Sequence, residues 1–186
     1  MEPVELHTER LLLSIPRGTD AEALYAACQD PDIQRFTTVP SPYTRQHAAA
    51  FPVKAAAGWA DETDTIWALR HTGTLAGVVG LHRLGGGEGE LGYWLAPRSR
   101  GTGLMTEAAH VVIDWGFTGP LALSRIEWRA VVGNTGSARI AQRLGFRYAG
   151  MLRQALRDGS GQRSDGWIAD LLPSDPRGPA TWPIDA

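Results

Sequence analysis

Between Glu90 and Ala109 the chain reads ELGYWLAPRSRGTGLMTEAA. Alternating apolar residues run into a proline, then a basic turn punctuated by glycines, then an amphipathic stretch. That order brings a strand end, a tight turn and a helix start to one place. Unpaired main-chain N–H groups converge at such a junction, the helix dipole adds partial positive charge, and glycines let a ligand approach the backbone closely. The chemistry is the gripping of a phosphate group by amides. Arg98 and Arg100 lie in or beside the turn, and Arg100 is the one expected to touch phosphate through charge-assisted hydrogen bonds.

Two common phosphate loops do not fit. A Walker-type loop needs a lysine directly after its last glycine, and the only lysine of this chain is Lys54. The dinucleotide fingerprint needs a third glycine where Thr106 stands, and a first βαβ unit rather than preceding hairpins. Cys28 is the single cysteine, which excludes an internal disulfide and a cysteine-built metal site. It reads as a small buried residue on an early helix and not as an acylated nucleophile, since no activating motif lies near it. No metal is expected.

The elements that must position the turn follow from periodicity and punctuation. Leu11-Leu12-Leu13 heads a first strand ending near Pro16. Thr19 and Glu22 match a capping box, predicting a helix from Thr19 to Cys28 that Asp30-Pro31 stops. Thr44 caps a second helix to about Trp59, with Pro52 as a kink. Ile66–Arg70 and Leu75–Leu81 form a hairpin about His71-Thr72-Gly73-Thr74, and the glycines from Gly85 to Gly89 form a flexible loop into the strand Glu90–Leu95. A helix from Gly103 to about Phe117 and an alternating strand Ile126–Val132 come next. Asn134 or Ser137 then opens a helix to Leu144, capped at its far end by Gly145. Phe146–Leu152 and Gly166–Leu172 close the sheet around Gly159-Ser160-Gly161. The result is one mixed α/β (α+β) domain over residues 1–172 with a single sheet, followed by a proline-rich, loosely ordered tail, 173–186.

With 186 residues the chain can bury a core. A net charge of −2 gives no bulk attraction to nucleic acid or to an anionic membrane. The charged start MEPVELHTER carries no apolar signal-type core, and no run reaches membrane-spanning length, so a soluble cytoplasmic protein is expected.

On these residues the chain resembles the GNAT N-acetyltransferase superfamily. The turn Arg100-Gly101-Thr102-Gly103-Leu104-Met105 is similar to the family's coenzyme A loop, Arg/Gln-x-x-Gly-x-Gly/Ala, with Met105 departing at the last position. LHTERLLL near the start, Gly92-Tyr93-Trp94, Asn134-x-x-Ser137 and Leu144-Gly145-Phe146 resemble, in order, the RimJ/RimL-like branch that acetylates ribosomal-protein N-termini. The resemblance implies a GNAT fold: a mostly antiparallel sheet of six to seven strands, splayed at the central strand and flanked by about four helices. It also implies acetyl-CoA as cofactor. The pantetheine arm would bond main-chain groups of Leu95 and Ala96, one of which could polarise the thioester oxygen. The diphosphate would meet Arg100, Gly101, Thr102, Gly103, Leu104, Met105 and Thr106, and Asn134 and Ser137 would face the coenzyme. Ser137 would protonate the leaving thiolate.

The glutamate that this branch places after Leu-Gly-Phe is replaced by Leu156, which leaves Glu90 as the general-base candidate, with Asp158 and Asp165 behind it. At neutral pH, deprotonating an α-amine costs about 1 kcal/mol and a lysine side chain about 4–5 kcal/mol. A site without a strong base therefore favours peptide or protein N-termini. A small-molecule amine, with Trp59 and Trp67 as a wall, and a non-catalytic acyl-CoA sensor are the alternatives. The acyl group is acetyl by default. The resemblance leaves room for a homodimer and points to no nucleic-acid or membrane partner.

Overall fold

Alternation and turn chemistry account for the sheet. In the computed structural model, which describes residues 1–158 and 160–184, β1 (Leu6–His7), β2 (Leu11–Ser14), β3 (Thr65–His71), β4 (Thr74–Gly85), β5 (Glu88–Leu95), β6 (Arg125–Val131), β7 (Arg147–Arg157) and β8 (Arg163–Leu171) form one sheet. The order is β1-β2-β3-β4-β5-β6-β8-β7. All neighbours are antiparallel except β5 and β6. The helices are α1 (Ala21–Ala27), α2 (Pro31–Phe36), α3 (Arg45–Ala60), α4 (Leu104–Thr118) and α5 (Thr135–Arg143). α4 is the crossover that a parallel pair requires. Both hairpins about β4 close with two residues at positive φ, Thr72 and Gly73 on one side, Gly86 and Gly87 on the other, the geometry whose twist matches antiparallel strands.

The sheet separates two cores. Leu91, Ile126, Trp128 and Ala130 pack with Leu104, Ala108, Val112 and Ile113 of α4 on one face. Val78 and Ile66 pack with Leu24, Ile33 and Ala55 of the first three helices on the other.

Several expectations are corrected. There are eight strands among the described residues, because Leu6–His7 pairs with β2 although two residues are too short to show alternation. There are five helices, because Asp30-Pro31 starts one: the Asp30 side chain accepts from the Ile33 N–H with Pro31 at the first helical position, the arrangement that Asp and Pro favour at a helix start. Thr19 caps nothing. Gly18–Asp20 form a 3-10 turn behind Arg17, and Asp20 turns inward to Arg70. Trp59 and Trp67 are fully buried, edge to face at 4.9 Å, so they form core and not a substrate wall. Of the turn Gly159-Ser160-Gly161, Gly159 lies outside the described residues.

As far as Ile184 the tail is docked, not loose. Trp182 is buried and its Nε1 donates to the Phe146 carbonyl at 2.8 Å, while the Ala180 N–H donates to the Gln142 carbonyl at 2.8 Å. A Cβ on Gly145 would stand 2.5 Å from the Pro176 carbonyl oxygen, so this cap position needs glycine both for its φ of +89° and for the tail above it. Prolines mark irregular backbone in a sequence but do not report whether that backbone docks.

The first three helices are tied to the sheet by a buried ion pair. Arg70 Nη1 and Nη2 donate to Asp20 Oδ1 and Oδ2 at 2.8 and 2.9 Å, and Arg70 Nε donates to Ser14 Oγ at 2.9 Å. Burial opposes the Asp20 charge, yet Arg70 and the Arg17 N–H outweigh it and hold the carboxyl below its ordinary range. A depressed carboxyl stabilises the fold above the unfolded value of about 3.9 and loses that contribution as pH falls through the folded value. Asp20→Asn is therefore expected to lower stability by roughly 3–5 kcal/mol at neutral pH in a urea titration, the difference from wild type narrowing below about pH 4.

Candidate active site

The functional geometry starts where β5 and β6 part. Their parallel pairing spans only Glu88↔Arg125, Gly89↔Ile126 and Glu90↔Glu127. Beyond Glu90, both strands continue without pairing to each other, β5 to Leu95 and β6 to Val131. On its other side β5 stays bonded to β4 as far as Gly77↔Leu95, and the Ala96 N–H donates to the Ala76 carbonyl at 2.9 Å. Antiparallel ladders alternate inward and outward main-chain groups. Bonding at Ala96 therefore turns the main chains of Leu91, Tyr93 and Leu95 toward the gap. An extended ligand with amide groups can bond there as an inserted strand.

The two predicted main-chain contacts now separate. Leu95 faces the gap, and its carbonyl already accepts from Arg100 Nε at 3.2 Å. Ala96 does not face it: its N–H is bonded to β4 and its carbonyl accepts from the Ser99 N–H at 2.8 Å. The main chain of Tyr93, like that of Leu95, is turned to the gap.

At the open end of the gap lies the glycine turn. Pro97–Ser99 make one 3-10 turn, and Gly101 and Gly103 follow with φ of +76° and +80°. These left-handed residues are the two small positions of the loop pattern, so on the structure Arg-x-x-Gly-x-Gly begins at Arg98 and Met105 ceases to be an exception. Gly103 caps α4 without a side chain, and the first intrahelical bond runs from the Glu107 N–H to the Gly103 carbonyl at 3.1 Å. The N–H groups of Leu104, Met105 and Thr106 are left for an anion. The side chains of Leu104 and Met105 are buried and anchor the helix start in the core.

The arginines hold the turn from behind. Arg98 Nη2 donates to the Leu75 carbonyl at 3.1 Å. Arg100 Nη2 donates to Asp30 Oδ1 at 2.6 Å and Nη1 stands 3.6 Å from Asp32 Oδ2, so this guanidinium joins the turn to α2 instead of pointing out as a free phosphate ligand. Burial disfavours the Asp30 anion, but Arg100 and the Ile33 N–H keep its carboxyl below the usual range. Arg10, from the loop between β1 and β2, donates through Nη1 to the Thr102 carbonyl at 3.0 Å and through Nε to Glu107 Oε2 at 2.6 Å. Thr8 donates to the same carboxylate. That clamp holds the Glu107 charge on the β1–β2 side of the helix start.

Two sets of side chains face each other across the gap. On the α4 face, Asn134 caps α5 by accepting from the Ser137 N–H at 3.2 Å, so Asn134 is spent on the helix and Ser137 sits in its first turn. Ser137 Oγ donates to Tyr93 Oη at 3.0 Å, Tyr93 Oη donates to the Ser137 carbonyl at 3.0 Å, and Trp128 Nε1 donates to both hydroxyl oxygens at 3.1 Å. Burial raises the Tyr93 phenol and keeps it protonated. On the opposite face, Glu90 Oε2 accepts from Arg83 Nη1 at 2.8 Å and lies 3.7 Å from Arg129 Nε, while Glu127 is bonded to Arg125 and Arg129.

The remaining candidates stand apart from the gap's inner end. Asp165 Oδ1 accepts from the Gln154 N–H at 2.8 Å, and Asp158 organises its own turn by accepting from Ser160 and Gln162. Both border a polar cleft of about 380 Å³ between Arg35 of α2, Val131 at the end of β6 and the β7–β8 hairpin. Leu156 covers Gly166 and supplies no carboxylate. Cys28 is buried, and burial pushes its thiol up to about 12, which leaves it inert. No cluster able to hold a metal ion is present among the described residues, and no described helix is long and apolar enough to cross a membrane.

Residues 10–147 match the family model described as an acetyltransferase (GNAT) domain. The uncharacterized N-acetyltransferase YoaA of Bacillus subtilis (strain 168) is 29% identical over 153 residues, 80% of this chain and 86% of that protein. Among solved structures, RimL, a ribosomal L7/L12 α-N-protein acetyltransferase in complex with coenzyme A, superposes with a TM-score of 0.81 at 17% identity, covering 92% of this chain and 98% of that one. The microcin C7 self-immunity acetyltransferase MccE, in complex with acetyl-CoA and AMP, superposes with a TM-score of 0.79 at 23% identity, over 89% and 93%.

The amides at the start of α4 predict that inorganic pyrophosphate raises the melting temperature in a thermal-shift assay. Gly103→Ala places a Cβ on a left-handed residue at a cost of roughly 1–2 kcal/mol, and is expected both to lower the unliganded melting temperature and to shrink the pyrophosphate shift.

Proposed function

The chain belongs to the GNAT acetyltransferase family and is an acetyl-CoA-dependent N-acetyltransferase; we propose that its acceptor is the α-amine of a peptide or protein N-terminus. The observation that carries the placement of the donor is the unpaired stretch of β5 and β6 beyond Glu90↔Glu127, ending on the left-handed glycines of the turn. The gap is strand-shaped, its edge presents main-chain groups, and its mouth presents amides, which together fit a pantetheine arm and a diphosphate. When bound, acetyl-CoA supplies an activated thioester.

The residues then divide the work. Main-chain groups of Tyr93 and Leu95 hold the arm. Gly101, Thr102, Gly103, Leu104, Met105 and Thr106 form the diphosphate cradle, and Arg98, Arg100 and Arg10 keep the cradle in shape. Glu90 draws in the amine on one face of the gap and takes its proton on Oε1, since Oε2 is already held by Arg83 and Arg129. Ser137, on the other face and held 3.0 Å from the Tyr93 hydroxyl, gives its hydroxyl proton to the leaving sulfur and regains one from water as the thiol departs. Acceptor and donor of protons are thus on opposite sides of the reacting atoms, and holding two substrates between them provides much of the rate enhancement.

The acceptor class rests on three supports. An α-amine near pKa 8 needs about 1 kcal/mol to lose its proton at pH 7, against about 4–5 kcal/mol for a lysine, and Glu90 is a single carboxylate tied to arginines. The cleft bordered by Arg35, Asp158 and Asp165 is polar and has exposed walls, which suits a chain end whose remainder stays in solvent. A structural neighbour named as a ribosomal L7/L12 α-N-protein acetyltransferase acts on such an end.

Incubation with acetyl-CoA and peptides carrying either a free N-terminus or a blocked N-terminus and a free lysine is expected to give acetylated product, by mass, with the first set only. Ser137→Ala is expected to lower kcat on the order of 10²-fold with coenzyme A affinity, measured by calorimetry, unchanged. Product with small amines alone would move the acceptor to small molecules, and no product with any amine would leave a sensor.

A further inference from the structure

One polar pair beside the gap has no place in this account. His82 lies on β4 directly opposite Glu90 of β5, and Glu90 in turn opposes Glu127 of β6. Thr65 pairs with Leu81, which puts Asp64 opposite His82. Asp64, His82, Glu90 and Glu127 therefore form one transverse row on one face, at the level where β5 and β6 part. His82 Nδ1 and Asp64 Oδ1 are 2.8 Å apart, with about a third of each side chain exposed.

The imidazole has a made-to-measure bed. Its neighbours on the same face are Gly80 and Gly92, a cross-strand pair. A Cβ on Gly92 would meet His82 Cδ2 at 2.8 Å and Nε2 at 3.0 Å, and one on Gly80 would meet Nε2 at 3.2 Å. The ring thus lies over two positions where any side chain would displace it, leaning from the row toward the open part of the gap. Nε2 has no protein hydrogen-bond partner among the described residues. Asp64 accepting from Nδ1–H leaves the Nε2 lone pair free, since the bond made by one ring nitrogen sets the tautomer of the other. Directly opposite residues in an antiparallel pair have Cβ atoms about 4.5–5.5 Å apart, so the free Oε1 of Glu90 is within side-chain reach of that lone pair.

We propose that His82, oriented by Asp64, removes from Glu90 the proton that Glu90 takes from the amine. The sequence of transfers balances. The amine N–H bond breaks as Glu90 Oε1 gains hydrogen. The Glu90 O–H bond then breaks as His82 Nε2–H forms, and Glu90 is an anion again. The imidazolium, stabilised by the Asp64 carboxylate, releases the proton to water. His82 touches no substrate and is a positioning and relay residue acting through Glu90. The charged groups around it are Asp64 from the turn after α3, Glu90 from β5, Arg83 on its own strand, Glu127 and Arg129 from β6, and Lys54 of α3, which acts through Asp64. Bonding to His82 comes first among the causes that hold the Asp64 carboxyl below its ordinary value.

This inference rests on the acetyl-transfer reading, and the experiment separates the two. The kcat/KM of wild type, His82→Gln, Asp64→Asn and Glu90→Gln is measured against pH with one N-terminal peptide, with and without added imidazole, and with coenzyme A affinity as the folding control. His82→Gln is expected to lower kcat on the order of 10²-fold, leave KM and coenzyme affinity unchanged, remove one ionisation from the acidic limb, and recover rate when imidazole is added. Asp64→Asn is expected to lie between it and wild type. An active wild type with His82→Gln retaining its rate and pH profile overturns the relay alone, as does a loss of rate with an unaltered profile and no imidazole rescue. A wild type inactive on every amine overturns the acetyl-transfer acceptor and the relay together.

Discussion

The interior of a sheet can leave main-chain groups unpaired only if something else is meant to pair them. Each buried N–H or C=O without a partner costs on the order of 1–3 kcal/mol, and strands as close as β5 and β6 would ordinarily keep bonding. Here pairing stops at Glu90↔Glu127 while both strands continue. Pairing of β5 with β4 holds one strand straight, and pairing of β6 with β8 from Ile126 to Val131 holds the other. The opening is therefore maintained by its two outer neighbours, with Tyr93, Glu90, Trp128 and Glu127 on the strands that flank the fork.

The fork also sorts the chemistry by face. Period-two alternation sends Tyr93 and Trp128 to the α4 side, where α5 brings Ser137 within 3.0 Å of the Tyr93 hydroxyl. The same alternation sends Glu90 and Glu127 to the other side, among Arg83, Arg125 and Arg129. A neutral, fully bonded hydroxyl network lies on one face and a charged row on the other. Proton donation to a sulfur suits the first, where burial keeps the phenol protonated. Attraction of an ammonium suits the second.

What could be read from the chain was whatever local chemistry enforces. Gly101 and Gly103 are legible because a strand-to-helix turn demands left-handed residues, and Asn134 because a helix start demands a cap. The hairpins about β4 follow from the same turn chemistry. What depends on register was not legible. His82 and Asp64 meet through strand pairing across 18 positions, and Tyr93, Trp128 and Ser137 through an open fork and a helix. Nothing in local spacing announces either group. Its position in the turn suggests a phosphate partner for Arg100, and Asp30-Pro31 reads as a stop; because Asp30-Pro31 instead begins a helix, the carboxylates of Asp30 and Asp32 stand ready for that guanidinium. Trp182 is not legible because three prolines describe backbone irregularity and say nothing of a buried indole.

Arg100 ties the glycine turn to the short helix α2. α2 carries Asp30 and Asp32 at its start and Arg35 one turn further on. The first two hold the guanidinium of the glycine turn, and Arg35 borders the polar cleft beside the end of β6. One edge of the polar cleft and the glycine turn are therefore joined through α2, although they lie on different elements. A short helix of six residues has little stability of its own, so its position must be set by these contacts and by Ile33 in the core. The Arg100 carboxylate bonds thus do more than a single phosphate contact would. They make the placement of Arg35, and of the cleft edge it forms, depend on the shape of the glycine turn.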